Sequence, residues 1–338
     1  MCGIAGRVRV SGAGSLDADI RSMCDAIVHR GPDDAGYVTC APATLGMRRL
    51  SIIDVSGGHQ PIPNEDETAW IVFNGEICNH HELRSRLEAA GHRFRTRSDT
   101  EVILHGYEEW GDDVVRRLQG MFGFAIWDAR RARLFVARDH LGIKPLYYWP
   151  AADGLAVCSE LRSFLALADF PRELSHEALV SYVALGYVPQ PLAIFSAARK
   201  LAPGSRLSWT EHTGVVVERY WDPTDVAPMD IAEDDAVVRL KELLREAVES
   251  HLESEVPLGA FLSGGLDSST VVALMCRAAR GRVRTFSVGF DDAAFDESGH
   301  AASIARALGT EHTAVTLRPS AELLIDRVVG NYDEPFAD

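Results

Sequence analysis

No stretch of this sequence approaches the roughly 20 consecutive apolar residues that a membrane-spanning helix needs, and no continuous apolar run of signal-peptide length opens it. The protein is therefore expected to be soluble. Cysteine pairs are missing as well: Cys2, Cys24, Cys40, Cys78, Cys158 and Cys276 are scattered without a CxxC. That pattern argues against zinc and against a disulfide scaffold, and it suggests a reducing, cytoplasmic compartment. An excess of positive charge is absent too, since 34 Lys and Arg face 49 Asp and Glu for a net charge of −15. Nucleic acid and anionic membrane are thus disfavoured as general partners, although one nucleotide at a local site is not.

What is present is a globular composition, 46% hydrophobic and 25% charged over 338 residues, long enough for two domains with separate interiors. The chain opens Met1-Cys2-Gly3. Trimming of the initiator methionine would put a thiol and a free α-amine on one residue. With an amine pKa of roughly 7.7–8.0, the terminus can act as general base toward its own nucleophile, and no separate catalytic histidine is required. Gly3 gives a bulky substrate access, and residues 4–8 read as a strand that holds the terminus. Taken alone, Cys2 reads first as a chance cysteine near a start codon, and the rest of the chain must decide.

Residues 17–28 have helical spacing, with Ile20, Met23 and Ile27 on one face. The helix runs into His29-Arg30-Gly31-Pro32-Asp33, which reads either as a ligand loop or as a solvated turn. Residues 45–54 form a strand-like run carrying Arg48 and Arg49 among apolar neighbours. A half-buried arginine wants a carboxylate, from the protein or from a ligand. Asn74-Gly75 interrupts the apolar run 70–77 and is the strongest short hairpin signal. It reads either as a plain turn or as a turn exposing the Gly75 N–H beside the Asn74 carboxamide, two donors for an oxyanion. A helix over 82–90 stops at Gly91, and a second opens near Ser98-Asp99. Asp99 there serves either as cap or as partner of a ligand ammonium. Strands at 121–127 and 134–138 complete a layered α+β pattern.

Cys2-Gly3-Ile4, His29-Arg30-Gly31-Pro32-Asp33, Arg49-Leu50-Ser51-Ile52-Ile53-Asp54, Asn74-Gly75-Glu76-Ile77, Ser98-Asp99-Thr100-Glu101 and the run 138–147 together resemble the class II glutamine amidotransferase domain, in its asparagine synthetase branch. The resemblance covers almost the whole first half, in the family's order. It implies an α+β N-terminal-nucleophile hydrolase sandwich, two antiparallel sheets between helical layers. It further implies that Cys2 attacks the glutamine side-chain amide, that Asn74 and Gly75 form the oxyanion hole, and that Arg49 holds the α-carboxylate. Glu76 and Asp99 lie near the α-ammonium, and Leu50, Ser51, Ile52 and Ile53 line the pocket. Cys78 departs from the family's usual tyrosine and is expected beside the hole.

Turn residues thicken between 203 and 230, placing the first domain at 1–212, a linker at 213–232 and a second, partial domain at 233–338. An amphipathic helix is expected over 234–250, with Val237, Leu240, Leu244 and Val248 on its apolar face. A buried strand over 256–262 then leads through Ser263-Gly264-Gly265-Leu266-Asp267-Ser268-Ser269 into an apolar helix. Glycines, hydroxyls and helix N-terminal N–H groups converge there on one anion-sized space. The Gly-Lys-Ser/Thr ending of a Walker A loop is absent. The string resembles the pyrophosphate loop of the ATP pyrophosphatases, which implies an α/β domain with a parallel sheet. By that resemblance Ser263, Gly264, Gly265, Ser268 and Ser269 cradle the phosphates of ATP, Asp267 holds Mg²⁺, and backbone at Leu262 and Val288 contacts the adenine.

The run 333–338 is an abrupt stop for such a domain, so a fragment is expected. The implied activity is asparagine synthesis from glutamine, aspartate and ATP, with a homodimer compatible. Its rivals are a ligase for another adenylylated carboxylate, a glutaminase alone, and a non-catalytic remnant. A β-lactam synthetase is disfavoured because that group lacks the nucleophile that Cys2 supplies.

Overall fold

The computed structural model describes residues 1–10, 16–292, 294–318 and 330–337. They fall into two compact units, residues 1–227 with 329–338, and residues 228–328.

In the first unit the chain runs β1 (Gly3–Arg9), α1 (Leu16–Asp25), β2 (Asp34–Cys40), β3 (Ala43–Arg49), β4 (Ile62–Pro63), β5 (Ala69–Ile77), α2 (His80–Ala90), α3 (Asp99–Trp110), β6 (Gly120–Asp128) and β7 (Arg133–Arg138). It continues as β8 (Tyr147–Ala151), β9 (Gly154–Cys158), α4 (Arg162–Leu165), α5 (His176–Leu185), β10 (Arg199–Lys200), β11 (Ser205–Thr210) and β12 (Gly214–Arg219). One antiparallel sheet has the order β10-β8-β9-β1-β3-β2, and the other β12-β11-β7-β6-β5-β4.

Strand periodicity explains why both sheets are buried on two faces. Ile4 and Val8 of β1 meet Val72, Ala125 and Trp127 of the other sheet in one core. Their neighbours Ile71, Phe73, Phe124 and Ile126 point the opposite way, into a core closed by Leu83 and Leu87 of α2 and by Val102, Ile103 and Tyr107 of α3. On the far side, Ala5 and Ala156 pack with Ile20 and Met23 of α1 and Phe164 of α4. The result is the expected N-terminal-nucleophile hydrolase sandwich, helices outside and two sheets inside.

Three sequence expectations change. Asn74-Gly75 makes no hairpin: β5 runs straight through it, with Asn74 opposite Gly123 and Gly75 opposite Phe122. Pairing along the whole length of β6 outweighs the local turn preference. Helix α1 ends at Asp25, and residues 28–30 follow as a separate 3₁₀ turn. The segment expected as a linker contains β12, which pairs with β11 over its whole length.

Residues 330–337, late in sequence, also pack on the first unit. Asp333 accepts from the Arg162 N–H (3.0 Å) and Nε (2.6 Å), and Glu334 accepts from the Ile194 N–H (2.8 Å) and pairs with Lys200 (2.5 Å).

The second unit comprises α6 (Glu233–Ser250), β13 (Gly259–Phe261), α7 (Leu266–Ala278), β14 (Arg284–Phe290), α8 (Ser298–Leu308) and β15 (Glu311–Leu317). Its three strands form a parallel sheet in the order β13-β14-β15, as the strand-helix alternation demands. β13 is shorter than the expected 256–262, since Val256, Pro257 and Leu258 stand outside the ladder. Val237 and Leu240 of α6 remain exposed. Among the described residues, no helix is long and apolar enough to cross a membrane.

Candidate active site

Strand β1 begins at Gly3, so Cys2 stands just before it, packed against the core between the two sheets. Its Sγ faces the Leu50 backbone, 3.4 Å from the N–H and 3.5 Å from the carbonyl oxygen. Burial pushes the thiol pKa up, while the Leu50 N–H, the terminal amine, Arg49 and Lys144 each pull it back down. The terminal amine, here on Met1, is lowered chiefly by burial.

A pocket opens around this thiol. Met1, Cys2, Arg49, Leu50, Ile52 and Ile53 form one side. Across from them stand Phe73, Asn74, Gly75 and Glu76 of β5, Asp99 of α3, and Lys144. The Asn74 side chain is 1% exposed, and its Nδ2 has no hydrogen-bond partner. A buried donor left unpaired costs about 1–3 kcal/mol, so its position is one that a ligand oxygen would satisfy. Gly75 permits close strand packing here: a Cβ at this position would lie 2.1 Å from the Met121 carbonyl oxygen.

Arg49 ends β3 and turns its guanidinium onto the following loop, bonding the carbonyls of Ile53 (2.9 Å), Asp54 (2.7 Å) and Val55 (3.3 Å). No protein carboxylate is hydrogen-bonded to it among the described residues, so its charge can be met by a ligand carboxylate. Ser98 caps α3 through the Thr100 N–H, so Asp99 is released from that role. Asp99 instead accepts from the Ile77 N–H at 2.9 Å, tying α3 to the end of β5. Its carboxyl is pushed up to about 7, mostly by burial and further by Glu76, against the Ile77 bond. A ligand cation placed beside it would reverse that shift.

Most of the expected residues therefore converge. Ser51 does not line the pocket: its N–H is turned toward Asp33, at 3.0 Å. Cys78, expected beside the hole, also lies outside the lining, with its N–H bonded to the Gln119 carbonyl. Lys144, Gln60 and Thr100 were not anticipated. Gln60 bridges the sheet and α3, donating to Thr100 Oγ1 (3.0 Å) and accepting from the Phe73 N–H (2.7 Å). Lys144 follows the turn held by Asp139, whose carboxylate accepts from the N–H groups of Ile143 and Lys144. The Arg138-to-Tyr147 motif was the available signal for Lys144, but a lone lysine in a loop names no role.

In the second unit, β13 delivers Ser263, Gly264 and Gly265 to the N-terminus of α7, whose first turn holds Asp267, Ser268 and Ser269. Ser263 Oγ and Ser268 Oγ are 3.0 Å apart, and the Ser263 N–H also points to Ser268 (3.3 Å). Gly264 has φ +86 and approaches the backbone of α8 so closely that a Cβ would sit 2.8 Å from the Ala301 nitrogen. Ser269 Oγ is buried without a hydrogen-bond partner. Leu262 is buried and bonds the Phe286 carbonyl, whereas Val288 lies midway along β14, exposed by 43%.

The glutamine amidotransferase domain family matches residues 1–221, and the asparagine synthase family matches residues 239–338. A Bacillus subtilis (strain 168) protein named asparagine synthetase [glutamine-hydrolyzing] 1 is 38% identical over 342 residues, covering 100% of this chain and 54% of its own. A putative asparagine synthetase [glutamine-hydrolyzing] of Mycobacterium tuberculosis (strain ATCC 25618 / H37Rv) is 37% identical over 364 residues, with 100% and 55% covered. A Methanocaldococcus jannaschii counterpart, putative asparagine synthetase [glutamine-hydrolyzing] 2, is 35% identical over 362 residues, with 100% and 69% covered. This chain thus spans about half the length of the first two relatives. With a thiol-centred pocket in one unit and a glycine-serine loop at a helix N-terminus in the other, the chain belongs to the glutamine-hydrolysing asparagine synthetase family.

Proposed function

We propose that this chain carries the glutaminase and the nucleotide-loop portions of a glutamine-dependent asparagine synthetase. Glutamine enters the Cys2 pocket with its α-carboxylate on Arg49 and its α-ammonium between Glu76 and Asp99. After Met1 is removed, the Cys2 amine takes the thiol proton. The thiolate attacks the side-chain amide carbon, and the developing oxyanion is met by Asn74 Nδ2 and the Gly75 N–H. The proton passes to the leaving nitrogen, ammonia departs, and water hydrolyses the glutamyl thioester to glutamate. The observation that carries this reading is the buried, unpartnered Asn74 amide facing the same pocket as Cys2.

The ammonia aminates a β-aspartyl-adenylate made from aspartate and ATP. Free helix N–H groups, the unpartnered Ser269 hydroxyl and the Gly264 backbone suit the phosphates of ATP. Ser51 keeps a place in glutamine binding only through its backbone neighbours, and adenine falls to backbone at Leu262 and Val288. Asp267 offers one carboxylate, which fits Mg²⁺ held jointly with phosphate oxygens and water. That cation, when bound, offsets charge on the departing pyrophosphate. The glutaminase part takes in β12, and the nucleotide part begins with α6, with a cytoplasmic location in keeping with six free cysteines. A homodimer is the assembly to be sought by light scattering.

The test is steady-state assay of the full-length protein with glutamine, aspartate and MgATP. Asparagine, glutamate and pyrophosphate should form together. Cys2→Ala should abolish the glutamine-dependent reaction and keep the ammonia-dependent one. Turnover of another carboxylate in place of aspartate would redirect the proposal to a different amide ligase, and glutamate release without pyrophosphate would reduce it to a glutaminase.

A further inference from the structure

On the outer face of the first unit, away from the Cys2 pocket lining, two imidazoles and two carboxylates converge. Glu65 lies in the turn between β4 and β5, His92 follows the C-terminal glycine of α2, and His105 and Glu108 are one turn apart on α3. One donor atom from each lies within 4.8 Å of every other. His105 Nδ1 is 3.2 Å from Glu108 Oε2 and 3.5 Å from Glu65 Oε2. The shorter of these is a hydrogen bond in the metal-free chain, and the two bracket the edge of about 3.3 Å expected of a tetrahedron with metal–ligand bonds near 2.0–2.1 Å.

The second oxygen of each carboxylate is hydrogen-bonded, and a further carboxylate stands near the second nitrogen of each imidazole. Glu65 Oε1 accepts from the Arg93 N–H (3.1 Å), and Glu108 Oε1 accepts from Asn64 Nδ2 (2.6 Å). His92 Nε2 faces Glu109 Oε2 (3.4 Å), and His105 Nε2 faces Glu101 Oε1 (3.5 Å). Glu101 is itself fixed by the Arg95 and Thr96 N–H groups, both at 2.7 Å. Carboxylates behind both imidazoles are the outer arrangement that orients histidines toward a metal.

We propose that Glu65, His92, His105 and Glu108 form a structural site for a divalent transition-metal cation, zinc by preference. Two neutral imidazoles and two carboxylates balance one dication, and the nitrogen donors disfavour Ca²⁺ and Mg²⁺. The cysteine pattern excluded thiolate sites, and this set uses none. Four protein ligands close the coordination shell, so the site is structural. It staples the β4–β5 turn and the α2–α3 connection to α3, the helix whose first residue, Asp99, lines the pocket.

The experiment is titration of the purified, chelator-treated protein with Zn²⁺ and Co²⁺, read by metal analysis after gel filtration, by visible absorption of tetrahedral Co²⁺ and by the melting temperature. One equivalent should bind, give the tetrahedral spectrum and raise the melting temperature. Glu109→Gln, behind His92, should weaken binding by about 10–100-fold, and His92→Ala or Glu65→Gln should abolish it. Cys2→Ala and Asp267→Ala should bind as the parent does, which separates this site from the glutaminase and nucleotide sites. Failure to bind one equivalent, or binding that persists in both His92→Ala and Glu65→Gln, would overturn the proposal.

Discussion

The Arg30 guanidinium donates to the carbonyl oxygen of Cys2 at 2.8 Å and is paired with Glu160 at 2.6 Å, so the backbone of the nucleophile hangs on a half-hidden ion pair. Glu160 also meets Arg162 at 3.0 Å, and Arg162 holds Asp333. Arg30 is 7% exposed. Glu160→Gln should therefore leave a poorly compensated buried charge, lowering stability by about 3 kcal/mol in urea unfolding. It should also slow glutamine turnover with little change in KM, because Arg30 touches the nucleophile's backbone and not the substrate.

Asn74 carries the opposite balance of stability and activity. Asn74→Ala should lower kcat for glutamine by about 10²–10³ while KM moves little, if the lost donor serves the tetrahedral oxyanion as proposed. Its amide nitrogen has no hydrogen-bond partner among the described residues, so the melting temperature should hold or rise. A large fall in melting temperature with unchanged kcat would contradict the oxyanion role.

Asp99 sets a pH dependence. With its carboxyl pushed up to about 7 by burial, the folded protein without ligand binds more protons than the unfolded chain between about pH 4 and 7. Its stability should fall as pH rises across that window, because ionising the buried group is unfavourable. If the glutamine ammonium sits beside this carboxylate as proposed, KM should rise as pH falls below about 7. Asp99→Asn should raise KM and flatten that profile, measured by glutamate release from pH 5.5 to 8, a range set around about 7.

Gly75 cannot accept a methyl group without moving a neighbouring strand, since the obstruction is the Met121 backbone. Gly75→Ala should cost about 1–3 kcal/mol and displace the N–H proposed to meet the oxyanion. Thermal unfolding and kcat should fall together, unlike the behaviour of Asn74→Ala.

The nucleotide loop should be separable from the glutaminase. Asp267→Asn in the full-length protein should reduce ATP–pyrophosphate exchange by about 10² or more and leave glutamate release without ATP intact. Equal loss of both activities would place Asp267 in the fold and not in the chemistry.

The strands β6 and β7, the glycine stop of α2, the Ser98 start of α3 and the strand-helix alternation after residue 259 were all legible in the sequence. Each depends on a period or a punctuating residue within a few positions. The identities of Cys2, Arg49, Asn74 and Asp99 were legible in the same way, as motifs. Only the tertiary structure decided that Asn74-Gly75 is mid-strand, because the pairing partner β6 lies far along the chain and its ladder outweighs a local turn. It also decided that Ser51 turns to Asp33 while Lys144 and Gln60 line the pocket, and that Glu65, His92, His105 and Glu108 meet. No local pattern joins residues brought together by two packed sheets and a helix, so the sequence determined which groups are available, and packing determined which of them face one another.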